Sequence, residues 1–159
     1  MKRSMRAAGA ALVTVGAIGA GLLVSAPAAG AATGKATAAY NGVCGSGYKV
    51  VNSLPVGSVG TVYLTYNSST GKNCTVTVRT TTGKATYMVA YLRNVGTDVE
   101  QVDEGQYRSY AGPVYVAARG ACVEWGGVIG NLQAWNYGSN CGTLAAAKGD
   151  QRDWFAGRR

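Results

Sequence analysis

Thr61-Val62-Tyr63-Leu64-Thr65-Tyr66-Asn67-Ser68-Ser69-Thr70-Gly71-Lys72-Asn73-Cys74-Thr75-Val76-Thr77-Val78-Arg79-Thr80 decides the fold class. Two runs rich in β-branched and aromatic residues flank a turn cluster, Asn67 to Asn73. In the first run Val62, Leu64 and Tyr66 fall on one face, the two-residue period of a strand. In the second, Cys74, Val76 and Val78 alternate with Thr75, Thr77 and Arg79. This alternation predicts Cys74, Val76 and Val78 facing inward and Thr75, Thr77 and Arg79 outward.

The pattern continues on both sides. Upstream, Tyr48 to Asn52 is a short strand-like run. Downstream, the turn Thr81-Thr82-Gly83-Lys84 repeats the Thr-Gly-Lys of residues 70–72. That spacing suits successive strands of a sandwich or barrel, and chance similarity of two tight turns explains it better than a duplicated unit. Ala85 to Arg93 is apolar on both faces and reads as a central strand. Val95 to Gln106 is polar and acidic and reads as a loop. Strand character returns at Tyr107–Tyr110 and Val114–Val116. Arg119-Gly120 is a turn, Cys122–Trp125 a strand, and Asn131 to Gly142 a loop closed by Cys141. The predicted fold is all-β: a small disulfide-braced antiparallel β-sandwich or barrel-like domain over residues 40–142.

The ends differ in character. Lys2, Arg3 and Arg6 precede an uncharged apolar run from about Ala10 to Val24, and small residues follow, with an A-x-A pattern at Ala29 and Ala31. Residues 1–32 therefore read as a secretory signal peptide, with cleavage between Ala29 and Thr33. The apolar run is shorter than the ~20 residues a membrane-spanning helix needs. The chain is expected to be extracellular, with no membrane contact after cleavage. Residues 33–39 are expected to be a flexible mature N-terminus. Residues 143–159 are expected to be a tail, poorly ordered or forming a short helix through Leu144–Ala147. Removing the tail should shift the melting temperature by only a few degrees, unless Trp154 and Phe155 dock on the domain.

The formal charge of +8 overstates the basicity of the secreted chain, because three cations leave with the signal. The remaining Lys and Arg residues are scattered, without the concentrated footprint that nucleic-acid binding requires. Cys44, Cys74, Cys122 and Cys141 form an even set behind a signal peptide, which reads as two disulfides. Of the three possible pairings, Cys44–Cys74 and Cys122–Cys141 each close a modest loop within one half of the chain and are favoured. The wide spacings and the lack of any C-x-x-C disfavour zinc.

The chain has no histidine. Serine and cysteine triads, histidine general bases and most catalytic zinc sites are thereby excluded. No catalytic residue and no cofactor is indicated. Carboxylate chemistry survives in principle. Asp98, Glu100, Asp103 and Glu104 crowd one stretch, which reads foremost as a solvated loop, then as a weak cation site, and last as a catalytic pair. Ten tyrosines and three tryptophans against one phenylalanine suggest an aromatic surface. Glu124, Trp125, Trp135 and Tyr137 are the candidate ligand-binding surface, with a core role for Trp125 as the competing reading.

Tyr40-Asn41-Gly42-Val43-Cys44-Gly45-Ser46-Gly47-Tyr48-Lys49-Val50 resembles the start of the mature domain in the spore-associated protein A family of secreted actinobacterial proteins. Val62–Asn67 through Thr70–Cys74 resembles it too, as does Tyr110–Tyr115 leading to Cys122–Gly127. The resemblance covers about Tyr40 to Gly142 and ends near Cys141-Gly142. It implies secretion and association with spore or cell-wall surface components, and supplies no reaction. The expected function is therefore that of a non-enzymatic protein of the spore or cell surface. The alternatives are a secreted binding module, for cell-wall carbohydrate or as a protease inhibitor, and a carboxylate-dependent hydrolase.

Overall fold

The computed structural model describes residues 38–141. They lie within the compact unit Thr33–Arg159; the other unit, Met1–Ala32, lies outside the described residues. The expectations for the signal peptide, for residues 33–37 and for the tail therefore also fall outside the described residues. Eight strands follow in order: β1 (Lys49–Val56), β2 (Gly60–Asn67), β3 (Lys72–Arg79), β4 (Thr86–Asn94), β5 (Glu100–Tyr107), β6 (Tyr110–Ala117), β7 (Val123–Ile129) and β8 (Leu132–Ser139). They form two antiparallel sheets, β1-β2-β3-β6 and β5-β4-β7-β8. The sheets pack face to face, β6 over β4 and β5, β1 over β7 and β8. The domain is an all-β sandwich.

The quoted stretch forms β2, a turn and β3. Asn67 closes the turn: its side-chain oxygen accepts backbone N–H groups of Ser69 and Thr70 at 3.0 and 3.2 Å, an Asx turn. Gly71 completes it at φ 68, a left-handed conformation that a side chain would strain.

The direction of β3 corrects the sequence reading. Leu64 pairs with Thr75 and Val62 with Thr77 across the β2–β3 ladder. Because Val62 and Leu64 belong to the core between the sheets, Thr75 and Thr77 face that core as well. Both are fully buried, and Thr77 Oγ1 donates to the Val89 carbonyl of the opposite sheet at 2.7 Å. Cys74, Val76 and Val78 point the other way, into a second apolar cluster with Ala38, Tyr40, Val43, Cys44, Tyr48 and Tyr63. The N-terminal segment thus covers the outer face of the first sheet. The Tyr63 hydroxyl donates to the Ala38 carbonyl, the Tyr115 hydroxyl to that of Cys44 at 3.1 Å, and Tyr48 meets Tyr115 edge-on at 5.5 Å. Burial in that crowded layer pushes the Tyr115 phenol above its ordinary range. Alternation shows that the two faces of a strand differ; with both faces buried, it cannot say which one looks at the partner sheet.

Two stretches read as loops are strands. The acidic stretch contains β5 and the 131–142 stretch contains β8. Both are edge strands, where water reaches one side and charged or amide side chains are tolerated, so hydrophobic alternation is weak. Ala85–Arg93 corresponds to β4, which lies between β5 and β7 as its two-faced apolar pattern required.

The disulfides are Cys44–Cys74 and Cys122–Cys141, the favoured pairing. They span 30 and 19 residues, and loops of that length are each worth roughly 3–4 kcal/mol through the unfolded chain. One ties the N-terminal segment to β3. The other ties the start of β7 to the end of β8.

Candidate functional site

The outer face of the second sheet gathers most of the chemistry. Four strands place their residues there in rows. On β4, Tyr87, Val89, Tyr91 and Arg93 point outward, while Met88, Ala90 and Leu92 fill the core. Across the ladders Val89 pairs with Glu104 and Val128, Tyr91 with Val102 and Gly126, and Arg93 with Glu100 and Glu124. Trp135 pairs with Gly126, and its ring lies where a Gly126 side chain would otherwise stand. The ring also meets Tyr91 edge-on, with centroids 5.5 Å apart.

Charged groups on this face are already engaged. The Tyr87 hydroxyl donates to Glu104 at 2.9 Å and the Tyr91 hydroxyl to Glu100 at 3.0 Å. Arg93 donates to Glu124 at 2.7 Å and also pairs with Asp98. Glu124 is buried, so this ion pair is partly desolvated. The hydrogen bond to Glu124, then the pairing with Asp98, holds the Arg93 guanidinium still further above its ordinary range, against the opposing effect of burial.

The predicted residues separate between the two faces of the sheet. Trp125 is fully buried between the sheets, its indole N–H donating to Ser139 Oγ at 2.9 Å. Glu124 and Trp135 lie on the outer face, and Tyr137 is half-buried on β8. The four acids separate too. Asp98 sits in the β4–β5 turn, while Glu100 and Glu104 are on the outer face, about 13 Å apart along the strand. Asp103 turns inward. Among the described residues no group of three or more acids, cysteines or histidines could hold a metal ion. Sequence reasoning missed Tyr87, Tyr91 and Arg93. Their signal is present in the alternation of Tyr87, Val89, Tyr91 and Arg93 within the Ala85–Arg93 run.

Asp103 ties the sheets at their corner. It accepts the Tyr107 hydroxyl and the Gly112 backbone N–H. The hydrogen bond to Asp103, with burial and the nearby charge, pushes the Tyr107 phenol up to about 12. The folded state thus favours the protonated phenol. Its stabilising effect is complete below the unfolded value near 10 and is lost as pH rises toward 12. Alkaline melting curves should show stability falling across that window, and Tyr107→Phe should be less stable at neutral pH with a shallower alkaline decline. An unchanged alkaline slope would refute the assignment.

A separate open cleft of about 430 Å³ lies beside the Cys122–Cys141 disulfide, lined by Val51, Tyr66, Asn73, Ala118, Gly120, Asn140 and Cys141. Among the described residues its lining has one aromatic residue, Tyr66, and two asparagines, and no carboxylate.

The chain is 79% identical over 155 residues to spore-associated protein A of Streptomyces coelicolor, a match covering 98% of this chain and all of that protein. The chain belongs to the spore-associated protein A family. No protein-family model matches it, and no solved structure matches it. The family resemblance runs past Cys141-Gly142, where the sequence motifs alone place its end. A match over 98% of the chain leaves too few residues unmatched to exclude the tail.

Proposed function

We propose that the chain is a secreted, non-enzymatic protein retained on the spore or cell surface. The observation that carries this reading is the near full-length identity to a protein named for its association with spores. The chemistry of the domain is compatible with it. There is no histidine, and all four cysteines are in disulfides. The outer-face acids on β5 and β7 are tied to tyrosines or arginine, with Arg93 set between Glu100 and Glu124. The signal-like residues 1–32 supply the export route.

A cell-wall carbohydrate ligand is the second reading, supported by Tyr66 and Asn140 in the lining of the cleft. A ring and amides are the usual equipment for holding a sugar.

Fractionation tests both readings. Epitope-tagged protein from a sporulating culture should begin between Ala29 and Thr33 by N-terminal sequencing, and should be enriched on washed spores or hyphae over the medium. Purified protein incubated with isolated cell wall should sediment with it if the carbohydrate reading is right. Protein recovered wholly from the medium, with none on washed spores or hyphae, would sink the surface assignment.

A further inference from the structure

Arg79, Lys84 and Arg108 are scattered in sequence, and the fold gathers them at one end of the sandwich. Arg79 ends β3, and the connections at that end are residues 57–59, 80–85, 108–109 and 130–131. These connections carry Lys84 and Arg108 and no acid. Arg79 ties two of them together: its Nη1 donates to the Lys84 carbonyl at 2.8 Å and to the Arg108 carbonyl at 3.0 Å. Its backbone N–H donates to the Ser109 carbonyl at 2.8 Å, and that of Gly83 to Arg108 at 3.3 Å. A third connection joins through Thr80, whose N–H donates to the Val59 carbonyl at 2.9 Å and whose hydroxyl donates to that of Ser58 at 3.3 Å. Lys84 and Arg108 are exposed on this surface, as are Ser58, Thr80, Thr81 and Thr82. Asp103 and Glu104 lie further back along β5 and already accept tyrosine hydroxyls. At the opposite end of the sandwich, by contrast, Arg93 is set among Asp98, Glu100 and Glu124.

We propose that this end of the sandwich binds an anionic polymer through its phosphate or carboxylate groups. Cations held together without a counter-charge make a local positive potential that an anion relieves. Arg79 supplies the specific grip. Its Nη1 is spent on the two carbonyls, while Nε and Nη2 have no hydrogen-bond partner among the described residues. Those two N–H groups share one edge of the guanidinium, the fork that holds a phosphate or carboxylate at two points. Lys84 and Arg108 add charge, and neither is in an ion pair among the described residues. The hydroxyls of Ser58, Thr81 and Thr82 add neutral donors. Three cations spread over the end of β3 and two connections suit a ligand with repeating charges better than a single ion. They are too few for the long basic footprint of a protein that binds duplex nucleic acid. As a means of surface retention the inference rests on the surface assignment; the binding itself does not.

Titration of the purified secreted protein with poly(glycerol phosphate), with polygalacturonate and with single-stranded DNA tests it. At low salt the protein should bind at least one of the first two polymers, and the one it prefers tells whether phosphate or carboxylate is the group held. The logarithm of the affinity should fall with the logarithm of salt at a slope of about −2, as three cationic contacts on a flexible polyanion require. Lys84→Gln/Arg108→Gln leaves Arg79 and both backbone acceptors in place, so the fold should persist. Its affinity should drop about tenfold or more, and its slope to about −0.7. Lys49→Gln/Lys72→Gln, at the opposite end of the first sheet, should bind as wild type does. No binding to either polymer at low salt would overturn the proposal, as would equal losses from the two double variants. Tighter binding to the DNA than to both polymers would overturn it too and make nucleic acid the partner. Polymer binding by a protein found wholly in the medium would uphold this inference and end the surface assignment. Failure to bind by a protein enriched on spores would do the reverse.

Discussion

Trp125→Ala is expected to destabilise the domain by roughly 3–5 kcal/mol, the usual range for removing a buried indole. Trp125 is the largest fully buried side chain among the described residues, and it stands in the inter-sheet core with Leu64, Leu92 and Val123. Its removal loses the transfer energy of the ring and leaves a cavity that two close-packed sheets cannot readily close. It also strips Ser139 Oγ of the indole N–H it accepts at 2.9 Å. For a domain of this size the melting temperature should fall by on the order of 15 °C. Trp125→Phe keeps most of the volume and loses the hydrogen bond, so it should lie between wild type and alanine. Thermal denaturation of the three proteins checks the order. A Trp125→Ala protein melting within 2–3 °C of wild type, a shift expected of less than about 1 kcal/mol, would show that the ring is not packed as described.

Gly127→Ala should be nearly as damaging, although it adds a single methyl. A Cβ at Gly127 would collide with Thr77 Oγ1, lie 2.6 Å from the Val89 carbonyl and 3.0 Å from Val62 Cγ2. The first two atoms are the donor and acceptor of the hydrogen bond between the sheets. Relief requires breaking that bond or separating the sheets. Overpacking of this kind costs about 1–3 kcal/mol, and more where backbone must move, so a value near the top of that range is expected. Thr77→Ser/Gly127→Ala should recover little, because the hydroxyl and the carbonyl stay in place. Equilibrium denaturation in urea measures the difference. Wild-type stability in Gly127→Ala would contradict the close approach of β7 to β3 and β4. The neighbouring Gly126 serves the other face of the same strand, where Trp135 and the Ala134 carbonyl, 2.6 Å from a built Cβ, leave no room for a side chain. The Gly-Gly pair therefore makes β7 thin on both sides, against the sheet within and the indole outside.

Much of the fold was legible in the chain itself. Period-two runs at residues 61–66 and 74–80, punctuated by Asn, Gly and Thr turns, sufficed for an all-β domain. The even cysteine set behind a signal-like N-terminus sufficed to predict two disulfides, and loop size favoured the pairing found. The absence of histidine removed whole classes of catalysis without any coordinates. The composition also showed an aromatic vocabulary, but not where it would gather.

What only the tertiary structure decided is which face each residue looks toward and which distant residues become neighbours. Thr75 and Thr77 turn to the inter-sheet core because the N-terminal segment, tied by Cys44–Cys74, buries the opposite face. An alternation rule that assumes one wet face inverts such a strand. Edge strands β5 and β8 escaped notice because pairing on one side only leaves their composition polar. Glu124 and Trp125 are adjacent in sequence yet lie on opposite faces, since successive strand residues must. Arg93, from a different strand, is brought beside Glu124 by cross-strand register across 31 positions of chain. Local sequence encodes periodicity and turns, which depend on residues a few positions apart. Facing and register depend on the packing energy of the whole sandwich, and no short stretch of this chain contains it.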